Sequence, residues 1–164
     1  MSIILFCEQG HDLGTRDPFR RGHSVSSRIV EVERQAYQDQ LPRQPFCTKC
    51  GKPTLDKCKE CDAKIAKGPR PSYCGACGKP FPWTESALTA AREYTDELDG
   101  LSSEDKETLK STFDDLSADT PRTHLAAYQF KKLIKKITPA AGDVLQKIIV
   151  DVLSETGKKL LSGM

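Results

Sequence analysis

The sequence predicts an α+β protein, strands first and helices last, and three observations predict it. Three Cys-x-x-Cys pairs, Cys47/Cys50, Cys58/Cys61 and Cys74/Cys77, crowd the stretch from Phe46 to Trp83. Ahead of them the chain opens on a short apolar run, Met1 to Phe6 (MSIILF), which reads as a β-strand central to the first half. After Trp83 the apolar residues recur at i, i+3 and i+4, the spacing of helices that bury one face. The expected organisation is a small metal-stapled β unit over residues 1–83 and a helical tail over residues 84–164.

The pairs carry the chemistry. Two cysteines three apart on a tight turn can aim both sulfurs at one ion, and a tetrahedral zinc site takes two such turns. Gly51 and Gly78 each follow the second cysteine of a pair, where positive φ lets backbone wrap toward sulfur. Lys52-Pro53 and Lys79-Pro80 come next, so these two knuckles are near copies. Six cysteines fill one four-ligand site and leave two over, so a fourth knuckle is needed. Cys7-Glu8-Gln9-Gly10-His11 supplies it, a Cys-x3-His step with glycine at the flexible position. The ligand set is then Cys7, His11, Cys47, Cys50, Cys58, Cys61, Cys74 and Cys77, enough for two Zn²⁺ per chain in a double zinc ribbon. His23 is the nearby rival to His11, and His124 lies in a helical stretch where a surface role is the default.

Other uses of cysteine fit less well. Disulfides need an oxidising compartment and would leave the seventh cysteine unpaired. A redox Cys-x-x-Cys sits at a helix N-terminus in a βαβ unit, and no such pattern surrounds these pairs. Cysteines alone would also suit an iron–sulfur cluster, while the knuckle glycines favour zinc. For the sharing of ligands, closure entropy favours the shortest loop, which joins Cys47/Cys50 to Cys58/Cys61 and nests Cys7/His11 with Cys74/Cys77. The alternative interleaves the sites, joining Cys47/Cys50 to Cys74/Cys77, whose flanking residues match best.

Between the first knuckle and Pro45 the signal is weaker. Gly14 to Ser27 is rich in Arg, Gly and Ser and reads as an exposed basic loop, Val25 to Val32 as a strand, and Arg34 to Leu41 as a short helix or irregular segment. The tail is clearer. Thr84 is the expected N-cap of a helix carrying Leu88, Ala91, Tyr94 and Leu98, stopped by Gly100. A second helix starts at Ser102 or Ser103, with Leu109, Phe113 and Leu116 as its apolar stripe. A third is expected from Thr120-Pro121, with Leu125, Tyr128, Leu133, Ile134 and Ile137 inward and four lysines outward. Pro139 to Gly142 marks a break or kink. A single last helix, Asp143 to Leu161, shows a broad apolar face through Val144, Leu145, Ile148, Ile149, Val152 and Leu153, a candidate surface for self-association.

Charge divides in the same way. Residues 1–83 carry 14 Lys/Arg against 9 Asp/Glu, residues 84–120 carry 3 against 11, and residues 121–164 carry 8 against 3. Such blocks suggest charge matching within or between chains more than a polyanion-binding surface. The basic third helix could lie on an anionic membrane, but packing of its apolar stripe on the last helix is the simpler reading. No signal peptide and no membrane-spanning run is evident, and a reducing cytoplasm is expected.

The string Tyr73-Cys74-Gly75-Ala76-Cys77-Gly78-Lys79-Pro80-Phe81-Pro82-Trp83-Thr84-Glu85 resembles the signature of an uncharacterised family of small bacterial zinc-ribbon proteins. The Cys7-x-x-Gly10-His11 step, the Asp119 to Thr123 segment and the tail Ser154 to Leu161 are similar too. The resemblance implies a zinc-binding ribbon with a helical tail in a bacterial cytoplasm, and it implies no reaction.

Function follows from what is closed and what is absent. Two four-ligand sites leave no open metal position, and the sequence has no phosphate loop, His-Glu-x-x-His or nucleophile elbow. An enzyme is therefore not expected, and no small-molecule substrate is evident. The leading expectation is a zinc-stapled interaction or adaptor protein whose helical tail binds a protein partner or itself. The alternative is a nucleic-acid-binding ribbon, with Arg16, Arg20, Arg21, Arg28 and the knuckle lysines on phosphates and Tyr73, Phe81 or Trp83 as stacking surfaces.

Overall fold

Three short strands and five helices form among the residues described by the computed structural model, 3–16, 45–65 and 68–162. They belong to two units, Met1–Cys77 and Gly78–Met164. The expected strand over Val25–Val32 and the segment Arg34–Leu41 lie outside the described residues.

In the first unit β1 (Ile3–Cys7) is the middle strand of a three-stranded antiparallel sheet. On one side it pairs with β2 (Asp12–Arg16), Ile3 opposite Arg16 and Phe6 opposite Asp12, with a register irregularity between Ile4 and Phe6. On the other it pairs with β3 (Thr54–Leu55), Phe6 opposite Leu55 and Cys7 opposite Thr54. The Phe6 ring is buried at the centre of this pairing. β2 corrects the expectation of a loop beginning at Gly14. Gly14 takes φ +84° inside the strand and its amide donates to the Asp12 carboxylate (2.7 Å), an irregularity that suits a strand at the edge of the sheet formed by the described residues.

The second unit is helical. α1 (Pro82–Asp96) begins two residues before the expected cap: Phe81 is the N-cap, Pro82 takes the first position, and Thr84 is buried inside the helix. Trp83 therefore belongs to this helix, stacked on Phe81 with ring centroids 4.7 Å apart. α2 (Ser103–Ser117) is capped by Ser102, whose hydroxyl accepts from the Asp105 amide (3.1 Å). α3 (Thr123–Ile134) starts at Thr123, later than the expected Thr120-Pro121 start. The Thr123 hydroxyl explains the shift. It donates to the Ala118 carbonyl (2.7 Å) and accepts from the Thr120 amide (3.0 Å), tying the end of α2 to the start of α3.

The inward face of α3 also differs from the expectation. Ala126, Ala127, Phe130 and Leu133 are buried, while Leu125 and Tyr128 are 53% and 68% exposed. The alanines let α3 come close to its neighbours, and Phe130 fills the space, edge-on to Phe113 of α2 at 6.5 Å between centroids. The expected last helix is two. α4 (Pro139–Ile149) starts at the expected break, with Thr138 as cap and Pro139 in the first position. α5 (Glu155–Leu161) restarts at Ser154, whose hydroxyl accepts from the Gly157 amide (3.0 Å). Leu145, Ile149, Val152 and Leu153 are buried in the shared core, so most of the face read as a docking surface is interior. The charge blocks meet inside the unit: Arg122 pairs with Asp115 (3.0 Å) and Lys136 with Asp105 (2.6 Å).

Candidate metal centre

The first unit gathers all eight sequence-read donors into two groups of four. Cys7, His11, Cys47 and Cys50 form one, and Cys58, Cys61, Cys74 and Cys77 the other, the donor atoms of each lying within 4.8 Å of one another.

Local backbone explains the first three knuckles. Cys7 ends β1 and His11 precedes β2, so the first knuckle is the turn of that hairpin, closed by Cys7 N to His11 O (3.1 Å) and Gly10 N to Cys7 O (2.7 Å). The second repeats the plan with Cys47 N to Lys52 O and Gly51 N to Cys47 O, both 2.8 Å. The third does so with Cys58 N to Ala63 O (2.8 Å) and Asp62 N to Cys58 O (3.0 Å). Asp62 stands where the second and fourth knuckles have glycine and takes φ +56°, a left-handed conformation that Asp tolerates better than most residues. Sequence reading missed it. Aligning Cys58-x-x-Cys61-Asp62 on Cys47-x-x-Cys50-Gly51 is the signal that would have found it.

Sharing of ligands follows neither expected arrangement. Consecutive knuckles pair, first with second and third with fourth. The short loop that favoured joining Cys47/Cys50 to Cys58/Cys61 is spent on β3, which is held against β1 and places Thr54 opposite Cys7. That pairing brings the first knuckle to the second. The third closes on itself through a bridge between Lys57 and Lys64 and faces the fourth.

The separations fit a tetrahedral ion. Bonds of about 2.3 Å to sulfur and 2.0–2.1 Å to imidazole nitrogen give edges of about 3.8 Å between sulfurs and about 3.6 Å between sulfur and nitrogen. The observed sulfur–sulfur distances are 3.7 Å for Cys7–Cys50, 3.8 Å for Cys58–Cys77 and 3.7 Å for Cys61–Cys74. His11 Nδ1 lies 3.4 Å from the Cys7 sulfur and 3.7 Å from the Cys47 sulfur. The seven cysteines are free thiols, and these separations are well beyond a disulfide's bond length of about 2 Å. A multi-iron cluster would hold its cysteines outside a metal–sulfide cage and so further apart. The residues present fit a single tetrahedral cation in each group.

Amides and burial tune the thiols. In each Cys-x-x-Cys pair the first cysteine is buried and the second exposed, and Cys7 is buried like the first members. Backbone N–H groups point at those inner sulfurs, from His11 to Cys7 (3.3 Å), Lys49 to Cys47 (3.4 Å) and Glu60 to Cys58 (3.4 Å). Burial pushes the Cys47 thiol up, but the Lys49 and Cys50 amides, with the Cys50 and His11 side chains, bring it down to about 6. Hydrogen bonds from the Cys77 and Ala76 amides outweigh burial at Cys74 and lower it to about 6 as well. Two of the outer thiols, Cys61 and Cys50, move the other way. The Ala63 amide favours the Cys61 thiolate, yet Cys77, burial, Cys74 and Cys58 together push it up to about 12. Cys50 is also raised: the Lys52 amide opposes the shift, while burial and the neighbouring Cys47 and Cys7 thiols produce it. Each group thus ionises one thiol early and another late, because crowded thiolates repel. A divalent cation among them would relieve that repulsion.

Of the stacking residues read from the sequence, Phe81 and Trp83 are buried and Tyr73 half-buried, while Phe46 of the first unit is an exposed ring at 58%. No helix among the described residues is long and apolar enough to cross a membrane.

Among known protein families, one described as an uncharacterized protein conserved in bacteria (DUF2321) matches residues 20–161. The match spans three of the four knuckles, and the roles of Cys7 and His11 rest on the geometry above. No curated protein and no solved structure matches the chain.

Proposed function

The chain belongs to this bacterial family, and we propose that it is a non-enzymatic zinc protein whose two Cys-rich tetrads staple a small binding unit and whose helical unit docks on a protein partner in the reducing cytoplasm. One observation carries the reading: each tetrad supplies four donors at tetrahedral spacing. Four protein ligands on zinc leave no position for water or substrate, which is the mark of a structural rather than a catalytic site. Zinc suits a set of seven thiolates and one imidazole, and a reducing compartment keeps such thiols available. The helical unit satisfies much of its own charge and apolar surface. A partner would therefore meet its outer side, where Leu125 and Tyr128 stand on α3 beside exposed Lys132 and Lys135.

A nucleic-acid-binding ribbon is the second reading, favoured by the exposed Phe46 ring and by exposed Lys49, Lys52, Lys57 and Lys64 in the same unit. Affinity purification from the native host at low salt, with and without nuclease, separates the two. A defined protein that stays bound after nuclease supports the docking module. Retention that vanishes with nuclease, and with salt, supports nucleic acid. A chain that retains neither overturns both.

A further inference from the structure

We propose that the two tetrads are coupled, so that metal in one raises the affinity of the other, through Arg70 and the Glu8–Lys59 ion pair. This rests on the reading that both tetrads hold metal.

Two side-chain ties join elements that serve different tetrads. Glu8 lies between Cys7 and His11 of the first tetrad, and its carboxylate pairs with Lys59, which lies between Cys58 and Cys61 of the second. Arg70 lies between Cys61 and Cys74, both ligands of the second tetrad. Its Nη1 donates to the carbonyl of Gly10 (2.8 Å), and the Gly10 amide in turn closes the Cys7 turn. Arg70 is packed closely there: a Cβ on Gly10 would stand 2.3 Å from its Nη1 and 2.9 Å from its Cδ.

The physical link is loop closure. Metal in the second tetrad fixes Cys61 and Cys74 against each other and so limits where Arg70 can go. Held there, the guanidinium props the Gly10 turn in the conformation that aims Cys7 and His11 at the first ion. Lys59, fixed by the same ion, holds Glu8 on the same turn. Linkage is reciprocal, so metal in the first tetrad orders the anchor for Arg70 and strengthens the second by the same factor. Arg70 and Lys59 are positioning residues: neither supplies a donor to an ion.

Cobalt titration of the full chain under reducing conditions tests the idea, because three-thiolate-one-imidazole and four-thiolate fields absorb differently and report each tetrad separately. Disabling the second tetrad with Cys61→Ser/Cys74→Ser should lower cobalt affinity at the first by about tenfold or more. In an Arg70→Met/Lys59→Met background the same change should cost less than about twofold. An equal factor in both backgrounds, or no effect in the parent, overturns the proposal. A second measurement stands if the serine variant fails to fold. Native mass spectrometry at one equivalent of metal should find mainly metal-free and two-metal chains in the parent, and more of the one-metal chain in Arg70→Met/Lys59→Met. Matching distributions overturn the coupling. Failure of the parent to take up metal at all would instead refute the metal reading beneath it.

Discussion

Replacing Gly10 by alanine should harm the first tetrad far more than the same change at Gly51. Both residues close a knuckle and both have positive φ, +74° and +70°. A left-handed alanine costs roughly 1–2 kcal/mol. Alanine's smaller freedom in the unfolded chain returns about 0.4–1 kcal/mol of that. At Gly51 little else is involved, since a Cβ there meets nothing within 4 Å. At Gly10 the new Cβ would stand 2.9 Å from the Arg70 Cδ as well as 2.3 Å from its Nη1, so the stem of the side chain must withdraw. The bond from the guanidinium to the Gly10 carbonyl is then lost, at about 1.5–3 kcal/mol for a charged donor. The totals are about 1 kcal/mol for Gly51→Ala and about 2–4 kcal/mol for Gly10→Ala. In affinity at the first tetrad that is roughly 5-fold against 30- to 700-fold. Competition with a chelator of known strength, followed by the cobalt spectrum of that tetrad, reads the difference. Equal losses in the two variants would show that Arg70 does not support the knuckle.

Two further outcomes are expected. Acid should release metal: Cys47 and Cys74 stand at about 6 against an ordinary 9.0, so the folded unit's gain from their thiolates is full above pH 9, shrinks as pH falls and is gone below about 6. A bound ion competes with protons and moves release below that value, so a chromogenic chelator should see metal kept at about pH 7 and lost by about pH 4, and retention at the lower pH would contradict this. In the helical unit, Val152→Asp buries a carboxylate at a position 1% exposed and should unfold the unit in thermal melts followed by circular dichroism, whereas Tyr128→Asp at 68% exposure should shift the midpoint by only a few degrees.

What could be read from the chain, and what could not, divides on a physical line. Knuckle donors are legible because the turn that aims two sulfurs at one ion needs a fixed spacing and a residue that accepts positive φ. Both are local properties, and they point to the eight donors that the fold brings together. The sharing of knuckles is not local. Loop entropy ranked the pairings, but the segment joining Cys50 to Cys58 is committed to β3, and pairing of Leu55 with Phe6 decides the outcome. The same contrast holds in the tail. The α2 stripe of Leu109, Phe113 and Leu116 was readable because large residues mark it, and all three are buried. On α3 the larger side chains Leu125 and Tyr128 pointed to the wrong face, since close packing there uses Ala126 and Ala127. The division of the last helix was hidden because Val152 and Leu153 continue the apolar pattern across the break, while Ser154 restarts the helix as a cap.

If both tetrads are filled structural sites, the metal content of the chain must show it. Protein purified without added metal, under reducing conditions, should carry two zinc ions per chain by native mass spectrometry with elemental analysis. Cys50→Ser and Cys61→Ser should each remove one, from different tetrads. A parent chain with one zinc, or a Cys50→Ser chain that keeps both, would show that the tetrads are not two filled sites.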